Sequence, residues 1–208
     1  QMASTGGGGE SSGVISALPM ASGSAKTEAS LASRCSKVSL LTNSNGGFVT
    51  QANMTDPEMA MSEQFCLSRS YAISTGEDMV RNVQGLTQAQ VDQQCDSFGP
   101  AMAPYVAKLG QSSAEVRGQV QKFVLDADMS VEQLQGTAKV CLFSGYGRDK
   151  MDVALGSAML LVGVGQKPYA ELVGHHLSQG FGVETNLERA REWYSLAVDA
   201  LEGGAEPV

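Results

Sequence analysis

A near-repeat in the last third of the chain constrains the fold more than any other feature of the sequence. The segment Cys141-Leu-Phe-Ser-Gly-Tyr-Gly147 is echoed about 35 residues later by His176-Leu-Ser-Gln-Gly-Phe-Gly182. In each copy a helical apolar pattern leads into Gly-aromatic-Gly, and a second helical pattern follows. This period is typical of stacked helical hairpins, because one hairpin cannot bury its apolar face alone. The sequence therefore predicts stacked helical hairpins with an extended surface for partners.

Helical periodicity runs from Asp56 to the end of the chain, and no strand-like alternation of apolar and polar residues interrupts it. Residues that cap helices precede several of the apolar stripes: Asp56 before Pro57, Thr87, Ser112 with Glu115, and Ser130 with Gln133. Pro100 predicts a break near residues 96–99. Three further helices fit residues 150–164, 167–179 and 187–201. The fold class is predicted to be all-α.

Composition divides the chain into three parts. Residues 1–30 are rich in Gly, Ser and Ala, which predicts a flexible arm that only a partner would order. Residues 31–55 combine a β-like run at residues 38–41 with a turn signal at residues 45–47. They are predicted to form a loop or short hairpin that straps onto the helical body. Residues 56–204 are predicted to form the helical repeat domain.

Charge and hydropathy argue against several classes of function. The net charge is −8 at pH 7 and no run of basic residues offsets it, which argues against nucleic-acid binding. The longest apolar run, near residues 153–164, is shorter than the roughly 20 residues of a transmembrane helix, so no transmembrane segment is predicted. The chain begins with Gln1 rather than Met. This is expected of a processed product, such as one that has lost a signal peptide, or of a trimmed chain.

Residues 169–197 carry the most specific pattern in the sequence. The positions that form it are Gly174, Leu177, Gly180, Gly182, Val183, Ala190, Trp193, Tyr194 and Ala197. They match the pattern Leu-Gly, Gly-x-Gly-Val and Ala-x-x-Trp-Tyr-x-x-Ala, and the segment resembles a Sel-one-like repeat, a relative of the tetratricopeptide repeat. Four residues depart from the most common form of the family pattern: Val173 replaces Leu, Leu177 replaces Tyr, Asn186 replaces Asp, and Leu201 lies where Gly is common. The upstream copy has Met159 in place of the Tyr and lacks the Trp.

The resemblance implies an α-solenoid-like stack of helical hairpins, best formed by residues 137–165 and 169–203. Such repeats usually serve as non-enzymatic adaptors or scaffolds for protein partners, and in bacteria they often occur in envelope or secreted proteins. The implied location is therefore the periplasm or the outside of the cell. The chain would be a free adaptor or a subunit of a larger envelope complex, tethered by its N-terminal arm. A peptidoglycan or polysaccharide binding module is the alternative, implied by the company that such repeats keep.

Partners are expected to bind the concave face of the stack. The candidate residues on this face are Tyr146, His175, Phe181 and Tyr194. The same aromatic side chains would alternatively pack between repeats, and for Trp193 packing is the preferred interpretation. The acidic residues of the last helix are most simply its solvated face.

The sequence shows no set of residues that points to catalysis. His175 and His176 are adjacent and would point about 100° apart on a helix, so they cannot chelate one metal ion as an i, i+4 pair can. Cys141 and His176 occupy equivalent positions in the two copies, but Cys141 lies on an apolar stripe, where a thiol is inert. No acid–base pair, triad spacing or phosphate-binding loop is recognisable. We therefore expect a protein that is not an enzyme and that holds no cofactor and no metal.

The four cysteines, Cys35, Cys66, Cys95 and Cys141, have no CxxC spacing and lie too far apart for a local metal knuckle. An even number favours two disulfides in an oxidising compartment, and four buried thiols are the alternative. If disulfides form, helix geometry favours a Cys66–Cys95 pair, because these residues lie almost symmetrically about a turn near residues 80–81. Cys35 would then pair with Cys141.

Overall fold

The computed structural model describes residues 30–208, which form α-helices joined by short turns, with no strand in this range. The helices are α1 (Leu31–Ser44), α2 (Pro57–Arg81), α3 (Gln88–Cys95), α4 (Phe98–Val106), α5 (Ser113–Asp126), α6 (Val131–Gly147), α7 (Met151–Gly163), α8 (Ala170–Gln179) and α9 (Leu187–Glu202). A 3-10 turn, Lys167–Tyr169, leads into α8. The predicted all-α class is confirmed. The predicted N-terminal arm lies outside the described residues, apart from Ser30.

The predicted strap contains a helix. One face of α1 buries Leu31, Val38 and Thr42, which are seven and four positions apart, as residues on one helix face are. The loop or short hairpin predicted for residues 31–55 is therefore wrong over α1. A short run of residues with β propensity forms a helix here, because packing against α2 outweighs local preference. Residues 45–56 form the loop that connects α1 to α2.

The helix starts predicted from capping residues are confirmed. The Asp56 carboxylate accepts hydrogen bonds from amides in the first turn of α2, and Pro57 is the first residue of that helix. The break predicted near Pro100 is also confirmed, since α3 ends at Cys95 and α4 begins at Phe98. Capping boxes start three other helices: Thr87 with Gln90, Ser112 with Glu115, and Ser130 with Gln133.

Helix α7 is the centre of the fold. Every residue from Val153 to Gly163 is buried. Helices α4, α5, α6 and α8 all pack against α7. A helix that is apolar on all sides needs neighbours on all sides, which explains the long Gly- and Ala-rich apolar run in the sequence. The α6–α7 and α8–α9 pairs each pack side by side, as the predicted hairpins do, but α7 is enclosed by its neighbours.

Glycines allow the neighbours of α7 to approach it closely. A Cβ atom on Gly145 of α6 would lie 2.6 Å from the backbone nitrogen of Ala154 in α7. A Cβ atom on Gly156 of α7 would lie 2.7 Å from the Cβ atom of Met102 in α4. Interiors are close-packed, so a larger residue at either glycine would push the two helices apart.

The two copies of the near-repeat have different backbone conformations. In the second copy Gly180 (φ 75°) and Gly182 (φ 72°) are left-handed and form the tight turn between α8 and α9 that the sequence predicts. In the first copy Gly145 and Gly147 are still part of α6, and the left-handed residue is Asp149 (φ 58°). The chain therefore turns later in the first copy, and the repeated sequence does not give a repeated local structure.

The disulfides join Cys35 to Cys66 and Cys95 to Cys141. Two disulfides are therefore confirmed, but the predicted pairs Cys66–Cys95 and Cys35–Cys141 are wrong. That prediction assumed that the helix after α2 runs back along α2. Instead α3 ends at Cys95 after eight residues and packs on α6, which carries Cys141. Helix α1 packs beside α2, so that Cys35 lies next to Cys66.

Candidate functional site

The residues predicted to bind a partner lie in or near the interior. Tyr146 and His175 are 0% and 1% exposed, so the prediction of an open face is wrong for both. Phe181 and Tyr194 are partly exposed, and Trp193 is buried, as packing between hairpins predicts. The reason is that α2 packs on α6 and α8 and covers this face. Helix α2 lies outside the near-repeat, so the repeat pattern does not reveal its position.

Phe65 of α2 is at the centre of the covered face. Its ring stacks on the ring of His175, with the ring centres 5.2 Å apart. It contacts three further rings edge to face, with centres 5.0 to 6.3 Å apart: His176, Tyr146 and Phe181. Such ring pairs stabilise a core beyond the burial of their area. The aromatic cluster is defined here as Phe65, Tyr146, His175, His176, Phe181 and Tyr194.

His176 is fully buried and both of its ring nitrogens are hydrogen-bonded. Nδ1 lies 2.7 Å from the carbonyl oxygen of Phe181, which can only accept, so Nδ1 carries the proton and donates it. Nε2 then accepts from the Tyr146 hydroxyl at 2.9 Å. Burial disfavours the charged ring and lowers the pKa of His176 to about 4. The neutral ring therefore joins α6 to α8 in the folded protein.

His175 belongs to a second chain of hydrogen bonds. Its Nε2 lies 3.1 Å from a carboxylate oxygen of Glu171, and its Nδ1 lies 2.7 Å from the hydroxyl of Tyr194. The carboxylate can only accept, so in the neutral ring Nε2 donates and Nδ1 accepts the Tyr194 proton. Ser178 Oγ lies 3.1 Å from the same hydroxyl. The order carboxylate, imidazole, hydroxyl is that of a catalytic triad.

The hydroxyl at the end of this chain is a poor nucleophile. Burial raises the pKa of Tyr194 far above its ordinary value, so the phenol keeps its proton at neutral pH. Burial also raises the pKa of Tyr146. Tyr194 lies close against Gly174, where a Cβ atom would be 2.8 Å from the ring. The arrangement therefore suits a structural role, in which the aromatic cluster holds α2, α6, α8 and α9 together.

A group of exposed apolar side chains lies at the end of α1 and in the loop that joins it to α2. Leu40 (68% exposed) and Leu41 lie in the last part of α1. Phe48 (53% exposed) and Met54 lie in the loop that follows. These four residues are named the strap surface. Single exposed apolar residues are common, but groups of them mark surfaces that bind partners.

The strap surface has no charged side chain among its neighbours in the sequence. Residues 38–55 form the longest run of the chain without Asp, Glu, Lys or Arg, although 17% of all residues are charged. Charged residues usually cover exposed surface and are depleted at the centre of protein interfaces. Charged residues are present at the edge of the strap surface, where Arg34, Lys37, Asp56 and Glu58 line a groove between α1 and α2. Sequence reasoning missed this surface, although the charge-free run is visible in the sequence.

Comparison of the sequence with protein-family models and with curated proteins, and of the fold with solved structures, finds no match. Within residues 30–208, no group of three or more His, Cys, Asp or Glu side chains is placed to hold a metal ion. No helix in the part of the chain that the structure describes has both the length and the apolar character needed to cross a bilayer.

Proposed function

We propose that the chain is a non-enzymatic binding protein that docks a protein partner through the strap surface. One observation carries the proposal: exposed apolar side chains lie at one end of one hairpin, within residues 38–55, where charge is completely absent. Water leaves such a surface favourably when a partner covers it, because the exposed side chains of residues 38–55 include no charged group that has to be desolvated. The aromatic cluster supports this function indirectly, because it holds α2 and thereby the hairpin in place.

The partner is expected to present an apolar and uncharged face. The chain as a whole carries a net charge of −8, so a basic partner would be attracted to other parts of its surface. The strap surface itself carries no charge, and the nearest charged side chains line the groove at its edge, which Leu41 also lines. The Cys35–Cys66 disulfide joins α1 to α2 and limits the freedom of the hairpin before binding. Less freedom is then lost on association, which favours affinity.

A setting in the bacterial periplasm or outside the cell is part of the proposal. Two disulfides are typical of proteins that fold in an oxidising compartment. The relationship of residues 169–203 to Sel-one-like repeats is also proposed. It is supported by the left-handed Gly180 and Gly182 and by the buried Trp193. Solenoid-like stacking of residues 137–165 on residues 169–203 is proposed on the same basis.

Photo-crosslinking tests the strap surface as the docking site. p-Benzoylphenylalanine would replace Phe48 in one variant and Leu125, which is 84% exposed near the end of α5, in a matched control. In native envelope extract, position 48 is expected to give one dominant crosslinked protein that position 125 does not give. A pull-down should lose this protein with the double variant Leu40→Ser and Phe48→Ser, and keep it with Leu125→Ser. Equal crosslinking at both positions would contradict the proposal.

Deletion of residues 1–29 tests whether the chain is also tethered in a larger complex. If the arm is the tether, the deletion should release the chain from a high-mass assembly in native gels, while position 48 still crosslinks to its partner. An assembly that survives the deletion would place recognition on residues 30–208 alone.

Polysaccharide, including peptidoglycan, is the second candidate ligand, and one observation favours it. The exposed Phe48 ring lies within residues 45–55 of the loop, whose exposed polar side chains are uncharged, among them Asn45, Gln51 and Asn53. Amide groups can hydrogen-bond sugar hydroxyls while an aromatic ring packs on the face of the sugar. Sedimentation with purified peptidoglycan is the test. If the chain stays in the supernatant, this candidate fails; if it sediments, Phe48→Ser should release it.

A further inference from the structure

One buried carboxylate of α2 holds the end of α1 and the loop that follows it. Glu63 of α2 is 1% exposed. Its Oε1 accepts a hydrogen bond from Thr42 Oγ1 at 2.6 Å, and its Oε2 accepts one from the backbone amide of Val49 at 2.7 Å. None of the ion pairs within residues 30–208 includes Glu63. The strap therefore supplies the hydrogen bonds that burial of this carboxylate requires.

The loop depends on Glu63 in return. The amides of Gly46 and Gly47 bond to carbonyls in the last part of α1, and the other backbone bonds of the loop join its own residues. Among the described hydrogen bonds of residues 45–55, the Val49–Glu63 bond is the one that reaches the body beyond α1. The local bonds shape the loop, and the bond to Glu63 fixes where the loop lies.

Both donors directly follow a member of the strap surface. Thr42 comes after Leu41, and Val49 comes after Phe48. The peptide group that joins Phe48 to Val49 is planar, so holding the Val49 amide also holds the carbonyl side of Phe48. We infer that Glu63 is a positioning residue for docking: its carboxylate fixes Leu41 and Phe48 by binding the residue after each. This inference rests on the proposed function, which assigns docking to the strap surface.

Amide hydrogen exchange of the full, oxidised chain tests the contact without any partner. Glu63→Leu removes both acceptors and leaves an apolar side chain of similar size at the buried position. The Val49 amide should then exchange about tenfold to a hundredfold faster, because a hydrogen bond to a charged group is lost. Glu63→Gln should retain most of the protection, because its amide oxygen can accept from Val49 while its NH2 group donates to Thr42. Glu77→Leu, at an exposed site of the same helix, should change nothing.

Partner capture is the second readout. The protein that crosslinks at position 48 should bind Glu63→Leu as weakly as the double variant Leu40→Ser and Phe48→Ser, and should bind Glu63→Gln and Glu77→Leu as it binds the unmodified chain. Thr42→Val removes one donor with little change in volume. It replaces Glu63→Leu if that variant does not fold, and it should give a smaller increase in Val49 exchange together with weaker capture.

The outcomes separate the two ideas. Unchanged exchange at Val49 in Glu63→Leu would overturn the inference whatever the partner does. Faster exchange with unchanged capture would also overturn it, because the surface would then bind without its fixed geometry. If the double variant Leu40→Ser and Phe48→Ser captures the partner as well as the unmodified chain does, the strap surface is not the docking site. The positioning role of Glu63 in docking then fails as well. In that case faster exchange of the Val49 amide in Glu63→Leu shows that the Glu63 contact exists and that its absence is not the reason for the failure.

Discussion

Acidification from pH 7 to pH 5 is expected to destabilise the protein through His176. Burial lowers the pKa of His176 from 6.5 to about 4, so below pH 6.5 the unfolded chain binds a proton that the folded protein does not bind. The free energy of unfolding therefore falls as the pH drops through 6.5, and the fall ends near pH 4, where the folded protein also takes up the proton. The loss between pH 7 and pH 5 is about 2 kcal/mol, out of about 3 kcal/mol in full.

The range from pH 7 to pH 5 separates the titration of His176 from the titration of the stabilising acidic groups. Hydrogen bonds from basic side chains lower the pKa of Asp96 to about 2, and a hydrogen bond from a backbone amide lowers the pKa of Glu192. Stabilisation by these carboxylates is present above their ordinary pKa values and is lost only at more acidic pH. Within residues 30–208, Arg69 from α2 and Glu171 from α8 are the charged residues whose hydrogen bonds reach the aromatic cluster, and neither changes in the variants.

Unfolding by heat or urea at pH 7, 6 and 5 measures the loss. For a chain of this size, about 2 kcal/mol corresponds to a decrease in Tm of about 4–8 °C. His176→Gln should abolish the pH-dependent decrease, because the amide can bond to Phe181 and Tyr146 but does not titrate. Tyr146→Phe removes the hydrogen bond and leaves His176 buried, so it should keep the decrease. The reasoning is refuted if His176→Gln keeps the full decrease or Tyr146→Phe abolishes it.

Two further predictions concern the disulfides and the close helix packing. Peptide mapping of the unreduced chain should recover two bridges: Cys35–Cys66 and Cys95–Cys141. Each bridge closes a loop whose length corresponds to about 4 kcal/mol of stabilisation. Mild reductant should cleave the partly exposed α1–α2 bridge before the buried α3–α6 bridge. The opposite order in mapped peptides would contradict this prediction. Gly145→Ala should lower the free energy of unfolding by about 1–3 kcal/mol, because its Cβ atom would meet the Ala154 backbone. Gly136→Ala, in open space on the same helix, should raise it by up to about 1 kcal/mol, and equal effects in urea unfolding would contradict the close approach.

The sequence predicts structure well where the causes are local. An N-cap depends on hydrogen bonds that reach two or three residues along the chain, so Asp56, Ser112 and Ser130 mark helix starts correctly. The turn between α8 and α9 needs left-handed residues, and Gly180 and Gly182 supply them without steric conflict. No knowledge of distant contacts is needed for either prediction.

Contacts between distant segments decide the features that the sequence does not predict. Helix α1 forms because its apolar face packs on α2. The Cys95–Cys141 pair forms because α3 packs on α6. The charge-free run over residues 38–55 could have indicated the strap surface. However, residues 153–166 also lack Asp, Glu, Lys and Arg, and most of that run forms the buried helix α7. Absence of charge therefore marks either an interface or a core, and only the packing distinguishes them.

The predicted partner-binding face is covered by α2 of the same chain. Phe65 of α2 lies at the centre of the aromatic cluster, where the anchor residue of a partner would otherwise insert. Arg69, one turn further along α2, donates a hydrogen bond to the carbonyl oxygen of Tyr146 and helps to hold the helix there. A face filled in this way is closed to a partner while α2 stays in place. The loop end of the same hairpin stays exposed, so the α1–α2 hairpin both covers the core and presents the strap surface.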